Sequence, residues 1–294
     1  MTRVATRSSS VSAPLTVYSG LRRKYATMSV TYLVVIVLLV VTVLPLLYVY
    51  LDGFRSTSAI NSSPTGLPSP WIWSQYGSIL TSLSFWQFMG NSVLIAAVAT
   101  GLAVGLGSMA AFALSRYVFR GREFIFTLFV SGLLFPLGVA ALPLYLLLLK
   151  LGLLDNQFGV AIPEAAFQLP ITIFILRPFM RAIPGELEDA AYVDGSSRLR
   201  FFVRILIPLA KPALVTVTLL AFVFSWIQYL LPLLVFTTTS HYTVPLGVAT
   251  YQSQYSQNTG AIMAFTALSA LPALGFFVWA ERYLVAGASG AVKG

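Results

Sequence analysis

The sequence predicts an all-α polytopic membrane protein with six transmembrane helices and both termini on one side. Three observations carry that. Of the 294 residues, 57% are hydrophobic and only 9% charged, with a mean hydropathy of +0.84. A soluble domain carries about 25% charged residues and needs them to cover its surface. Six apolar segments reach the roughly 20 residues that a helix needs to cross a hydrocarbon core about 30 Å thick. Finally, of the 18 Lys and Arg residues, all but Arg55 and Lys150 fall on one side of a six-span arrangement, and the positive-inside rule makes that side the cytoplasm. The net charge of +9 is therefore a topology signal. Its partner is the lipid bilayer with its anionic headgroups, and nucleic-acid binding is not expected.

The elements follow in order. Residues 1–28 form a basic, Ser- and Thr-rich leader that reads as an unstructured cytoplasmic tail. The first span, 29–51, is expected to be an uncleaved anchor, because its leader is long and Asp52-Gly53-Phe54 follows where small residues would mark cleavage. Residues 52–87 make the longest outer loop, with Pro64, Pro68 and Pro70 and with Trp71 and Trp73 suited to the membrane interface. The second span, 89–114, carries Gly101 and Gly105 in a GxxxG pattern, expected to pack against another span of the chain. A short inner loop leads to the third span, 124–149, and a short outer loop to the fourth, 159–180. The inner segment 182–211 precedes the fifth span, 212–236. The polar outer loop 237–260 precedes the sixth, 261–280, and 282–294 form a second cytoplasmic tail. None of these segments alternates with a period of two, which argues against a β-barrel. Prolines 45, 136, 143, 163, 170, 232 and 272 lie in or beside spans and are expected to kink them.

Several chemistries are excluded. There is no cysteine, and the single histidine, His241, lies in an outer loop. Thiolate nucleophiles, Cys-ligated metals and His-based catalysis are therefore not expected. No span holds paired aspartates, and no GxxxxGK[ST] loop is present to bind ATP.

The inner segment is the most informative. Pro184 suits a first helical turn. Glu186, Glu188 and Asp189 then sit near the positive end of the helix dipole. Ala190 and Ala191 favour helix, Asp194 follows, and Gly195 can take the left-handed conformation that ends one. A second short helix combines apolar Phe201, Phe202, Ile205 and Leu206 with basic Arg198, Arg200 and Arg204. Two short helices with small residues at the tip form a knob that fits a groove in another protein. The run Pro184-Gly-Glu-Leu-Glu-Asp-Ala-Ala-Tyr-Val-Asp-Gly195, with Phe202, Ile205, Pro208 and Pro212, resembles the EAA loop of ABC-importer permeases. Asp189 stands where that family usually has Glu, and Ser196 where it often has Ala. Residues 222–233, with Trp226, Gln228, Tyr229, Pro232 and Leu233, are similar to the carbohydrate-uptake branch, although Ile227 replaces the usual Asn. Residues 282–294 resemble the C-terminal tail of maltose-type permeases.

The resemblance implies a transport domain over 88–281 and no enzymatic activity or cofactor on this chain. ATP and Mg would be bound by two separate ATP-binding subunits. A second, homologous permease subunit and an extracytoplasmic solute-binding protein would complete a carbohydrate importer in a bacterial plasma membrane. The coupling loop would meet the ATP-binding subunit through Glu186, Glu188, Asp189, Ala190, Ala191, Asp194, Gly195 and Phe202. The alternative is a secondary transporter driven by an ion gradient, which predicts several charges deep in spans and an inverted repeat.

Five residues are candidates for the substrate path. Glu164 lies within the fourth span, with Gln168 one turn deeper on the same face. The pair either lines a polar path or sits at the outer interface beside a break at Pro163. Trp226, Gln228 and Tyr229 offer either a stacking platform and hydrogen bond for a sugar ring or packing between helices.

Overall fold

A computed structural model describes residues 16–252 and 257–291, with side chains from Met28 to Arg282 except at 29 and 30. The leader residues 1–15 and the tail residues 292–294 lie outside the described residues. The chain divides into two units, 1–51 and 52–294. The first unit holds most of one long helix, α1 (Thr16–Asp52), whose apolar stretch suffices to cross a membrane. The helix begins inside the stretch read as an unstructured leader. No proline or glycine cluster stops it there: Gly20 is the only glycine between Thr16 and Asp52.

The second unit is helical. Short helices α2 (Thr57–Ser62) and α3 (Ser74–Thr81) fold the loop after α1. The buried Arg55 guanidinium ties that loop together: it pairs with Asp52 at 2.8 Å and donates to the carbonyls of Ala59 and Ser63. Trp71 and Trp73 stay exposed beside Phe54. Helix α4 (Leu83–Arg116) is the longest of this unit. The expected third span is broken into α5 (Arg122–Ser131) and α6 (Leu137–Lys150), bent by 101°. The cause is Pro136, which has no N–H to continue the ladder and forces Phe135 into extended geometry (ψ 106°). Helix α7 (Gln157–Ala182) runs continuously through Pro163, Pro170 and Pro178.

The inner segment forms α8 (Glu186–Val193) and α9 (Arg198–Phe201), then a π-helical turn over Phe202–Leu206 and α10 (Ile207–Leu209). Between Pro208 and Pro212 the chain bends by 82° into α11 (Lys211–Trp226). The expected fifth span is also interrupted. Helix α11 stops at Trp226, and α12 (Leu230–Val235) restarts after a break in which Gln228 Oε1 accepts from the amides of Tyr229 and Leu230. A short α13 (Val244–Gly247) precedes α14 (Thr259–Ala291). The last helix continues through the Gly-rich stretch read as a tail. Among the described residues, four helices are thus continuous spans by length and composition, and six spans result if each bent pair crosses once.

Helices α4 and α7 form the centre, α11 packs on both, and α14 packs on α11. The GxxxG pattern does not make this contact: a Cβ at Gly101 or Gly105 would meet nothing. Gly107 does, since a Cβ there would lie 2.5 Å from Thr172 of α7. The period of 3.6 puts Gly107 and Gly101 on different faces, which the GxxxG spacing alone does not reveal.

At the end away from α8, Asp155 closes a clasp. It takes a positive φ of 53° and its carboxylate accepts from the amides of Thr237 and Thr238 at 3.0 Å and from the Thr238 hydroxyl at 2.5 Å. His241 Nδ1 lies 3.1 Å away. The Thr238 hydroxyl bond, with the amides and His241, holds the Asp155 carboxyl well below the usual carboxylate range. A depressed carboxyl lends stability that is complete above the unfolded value near pH 4 and drains as pH falls through the folded one. Exchange of the Thr237 and Thr238 amides is therefore expected to show extra opening only below about pH 4, after correction for intrinsic rates. Exchange that stays flat down to about pH 2 would show that the Asp155 carboxylate does not hold the clasp.

Candidate functional site

The inner segment is built as a knob rooted in the bundle. Gly195 takes φ +77°; its amide donates to Tyr192 O at 3.0 Å and the Ser196 amide to Ala191 O at 2.8 Å. These two bonds, from C′ to C2 and from C″ to C3, are the Schellman closure of α8. Ser197 then caps α9 by accepting from the Arg200 amide. The chain reverses within four residues because Gly195 adopts a conformation that side chains with a Cβ resist.

The root is aromatic. Phe201 and Phe202 are buried with Leu206, Ala191 and Ala210 against Phe112 of α4, Leu176 and Met180 of α7, and Val217 of α11. The Phe112 and Phe202 rings stand 4.9 Å apart. Burying a phenylalanine contributes about 1.5–3 kcal/mol, so the loop is held to three helices by the strongest packing at this end. Phe201→Ala is expected to cost about 3–5 kcal/mol and to expose 186–206 to protease in detergent; unchanged digestion would sink the anchoring argument.

The predicted docking residues divide. Glu186, Asp189, Ala190, Asp194 and Gly195 are exposed, as are Leu187 and the 88%-exposed Val193. Three of them face inward. Ala191 and Phe202 are core residues, and Glu188 turns toward α4, where it pairs with Arg116 and accepts from the Tyr192 hydroxyl at 2.7 Å. Helical spacing explains the split, because positions 188, 191 and 192 share the face that packs on α4. Burial and the Glu188 carboxylate raise the Tyr192 phenol above its ordinary value. Arg116 and Tyr117 escaped the sequence reading, which treated that short loop only as a source of positive charge.

Within the spans the structure joins some candidates and separates others. Glu164 is 1% exposed and accepts a hydrogen bond from Ser225 of α11. Its second oxygen has no partner. Gln168 is buried one turn along α7. Trp226 is buried rather than offered as a platform: its indole donates to Ser269 O of α14 at 3.1 Å and stacks on Phe222. Gln228 is spent on capping α12, and Tyr229 is exposed. Glu164 thus lies inside the bundle. Ser225 was missed because a lone serine without a base carries no catalytic signal.

This architecture has known counterparts. Residues 103–289 match the family model for the binding-protein-dependent transport system inner membrane component. The chain is 33% identical over 254 residues to the diacetylchitobiose uptake system permease protein NgcG of Streptomyces coelicolor, covering 86% of this chain and 83% of that one. It is 34% identical over 269 residues to the trehalose transport system permease protein SugB of Mycobacterium tuberculosis, covering 90% and 98%. Its fold is similar to a chain of a bacterial ABC transporter involved in the import of the acidic polysaccharide alginate, with a TM-score of 0.75 at 23% identity over 89% of this chain and 98% of that one. With the family match covering more than half its length, this chain belongs to the binding-protein-dependent transport system inner membrane components, the permease subunits of ABC importers.

Proposed function

We propose that this permease carries a carbohydrate into a bacterium across the plasma membrane, with both termini in the cytoplasm. The observation that supports it most is the knob itself: a tip exposing Glu186, Asp189 and Asp194 on a root buried among three helices. A rigid lever of this form suits transmission of force from a partner. In this reading two ATP-binding subunits sit below, bind ATP and Mg, and receive the tip. A second permease subunit pairs with this one, and a solute-binding protein delivers substrate from outside. The carbohydrate class rests on the relatives, named for uptake of diacetylchitobiose, trehalose and arabinooligosaccharides. Closure of the ATP-binding subunits would move α8 and α9, and through Phe201 and Phe202 the bundle would switch between two states.

Orientation is tested first. The chain has no native cysteine, so a single Ser63→Cys should react with an impermeant maleimide from outside and Ser197→Cys only after the membrane is opened. Outside labelling at position 197 would overturn both the topology and the docking. Substrate is tested by reconstituting the complex and measuring ATPase stimulation by solute-binding protein loaded with individual oligosaccharides. Stimulation by amino acids or peptides alone would reject the carbohydrate assignment.

A further inference from the structure

Glu188 is turned away from the surface that Glu186 and Asp189 present. Its side chain is 13% exposed and lies over the last turn of α4. One oxygen accepts from Tyr192; the other stands 3.7 Å from Arg116 Nε. That distance is too long for a hydrogen bond, and the buried Nε has no acceptor. Arg116 is fastened on its other side, donating through Nη2 to Ile183 O, the cap of α7, at 3.0 Å. Arg198 of α9 stacks on the Tyr117 ring at 5.0 Å. The end of α4 therefore grips α7, α8 and α9 around a cavity of about 410 Å³. A closed Arg–carboxylate contact brings N and O to about 2.7–2.9 Å, and the cavity leaves room for that movement.

We infer that Glu188 and Arg116 form a clamp that sets the angle of α8 against α4, one hydrogen bond short of closed in this state and closed when a partner loads the tip. Glu188 is a positioning residue, not a docking one. This rests on the reading of the knob as the coupling element. The half-buried pair has the makings of a switch, since its Nε is a donor waiting for an acceptor and its partner oxygen is already aimed at it. A surface ion pair would be too weak for that part.

The test uses the complete reconstituted complex. Glu188→Gln keeps the shape and the Tyr192 contact but removes the charge. It is expected to co-purify with ATP-binding subunits in the wild-type ratio while substrate transported per ATP hydrolysed falls about fivefold. Arg116→Gln removes that contact together with the bond to Ile183 O, so it should be at least as defective, and the double variant should be no worse than Arg116→Gln alone. Loss of ATP-binding subunits from Glu188→Gln would make it a docking residue and overturn the clamp. Wild-type transport per ATP, or defects that simply add, would overturn it too. If Glu188→Gln alone is silent while Asp189→Lys is not, only the clamp falls. If both are silent, the coupling reading falls with it.

Discussion

Gly195→Val is expected to leave the protein inserted yet cut both uptake and the ATPase activity that substrate stimulates. Gly195 sits at φ +77° and closes α8 through two hydrogen bonds. A Cβ there would meet no neighbouring atom, so space is not the obstacle. The obstacle is the backbone: the left-handed region costs a residue with a Cβ about 1–2 kcal/mol, and a β-branched one more. Relief comes only by opening the turn, which swings α8 away from α9 and its root at Phe201. The expected result is that substrate-stimulated ATPase activity and uptake both fall at least tenfold at unchanged expression. Gly195→Asn provides the control, because Asn tolerates this region and should retain much of the activity. Asp189→Lys is expected to act at the other face, by inverting an exposed charge in the first turn of α8 without touching the turn. Equal activity of the Val and Asn variants would show that the conformation of Gly195 does not matter.

The sequence showed the knob and the spans for different reasons. Apolar length is a local quantity, so α1, α4, α7 and α14 were each found, α7 within two residues at both ends, although α1 starts 13 residues before and α14 runs 11 residues beyond the expected span. The turn at Gly195 was legible because one glycine after a helix has few other uses. The bend at Pro136 was among the kinks expected from proline, but the break at Ile227–Tyr229 was not legible, because hydropathy is blind to a break between two apolar halves. Proline did not decide the matter either: Pro163 and Pro170 sit in an unbroken α7, while Pro136 ends a helix. What separates them is whether neighbouring helices hold the chain in register, and that is tertiary information. The same limit governs the site. Glu188 and Asp189 are adjacent acids in the sequence, yet one faces α4 and the other solvent. Only the packing of α8 on Arg116 distinguishes them.

The second large effect is expected at Glu164. Its carboxylate lies inside the bundle, accepts from Ser225 with one oxygen and leaves the other without a partner. The next residue of α11, Trp226, donates to Ser269 of α14. Two consecutive residues therefore tie α11 to α7 on one side and to α14 on the other, immediately before the break that separates α11 from α12. A carboxyl group is a costly tie in hydrocarbon and usually marks a working position. Here it joins α7 to α11 just before α11 gives way to α12. Glu164→Ala leaves the Ser225 hydroxyl unsatisfied, a loss of about 1–3 kcal/mol, and uptake at limiting substrate is expected to fall about tenfold with the complex still assembled. Ser225→Ala should shift uptake in the same direction. Because the two share one hydrogen bond, the double variant should resemble the worse single rather than the sum. Wild-type uptake in both singles would reduce the pair to packing. A loss of assembly in Glu164→Ala that Ser225→Ala does not share would show that the carboxyl holds the bundle by a contact other than Ser225.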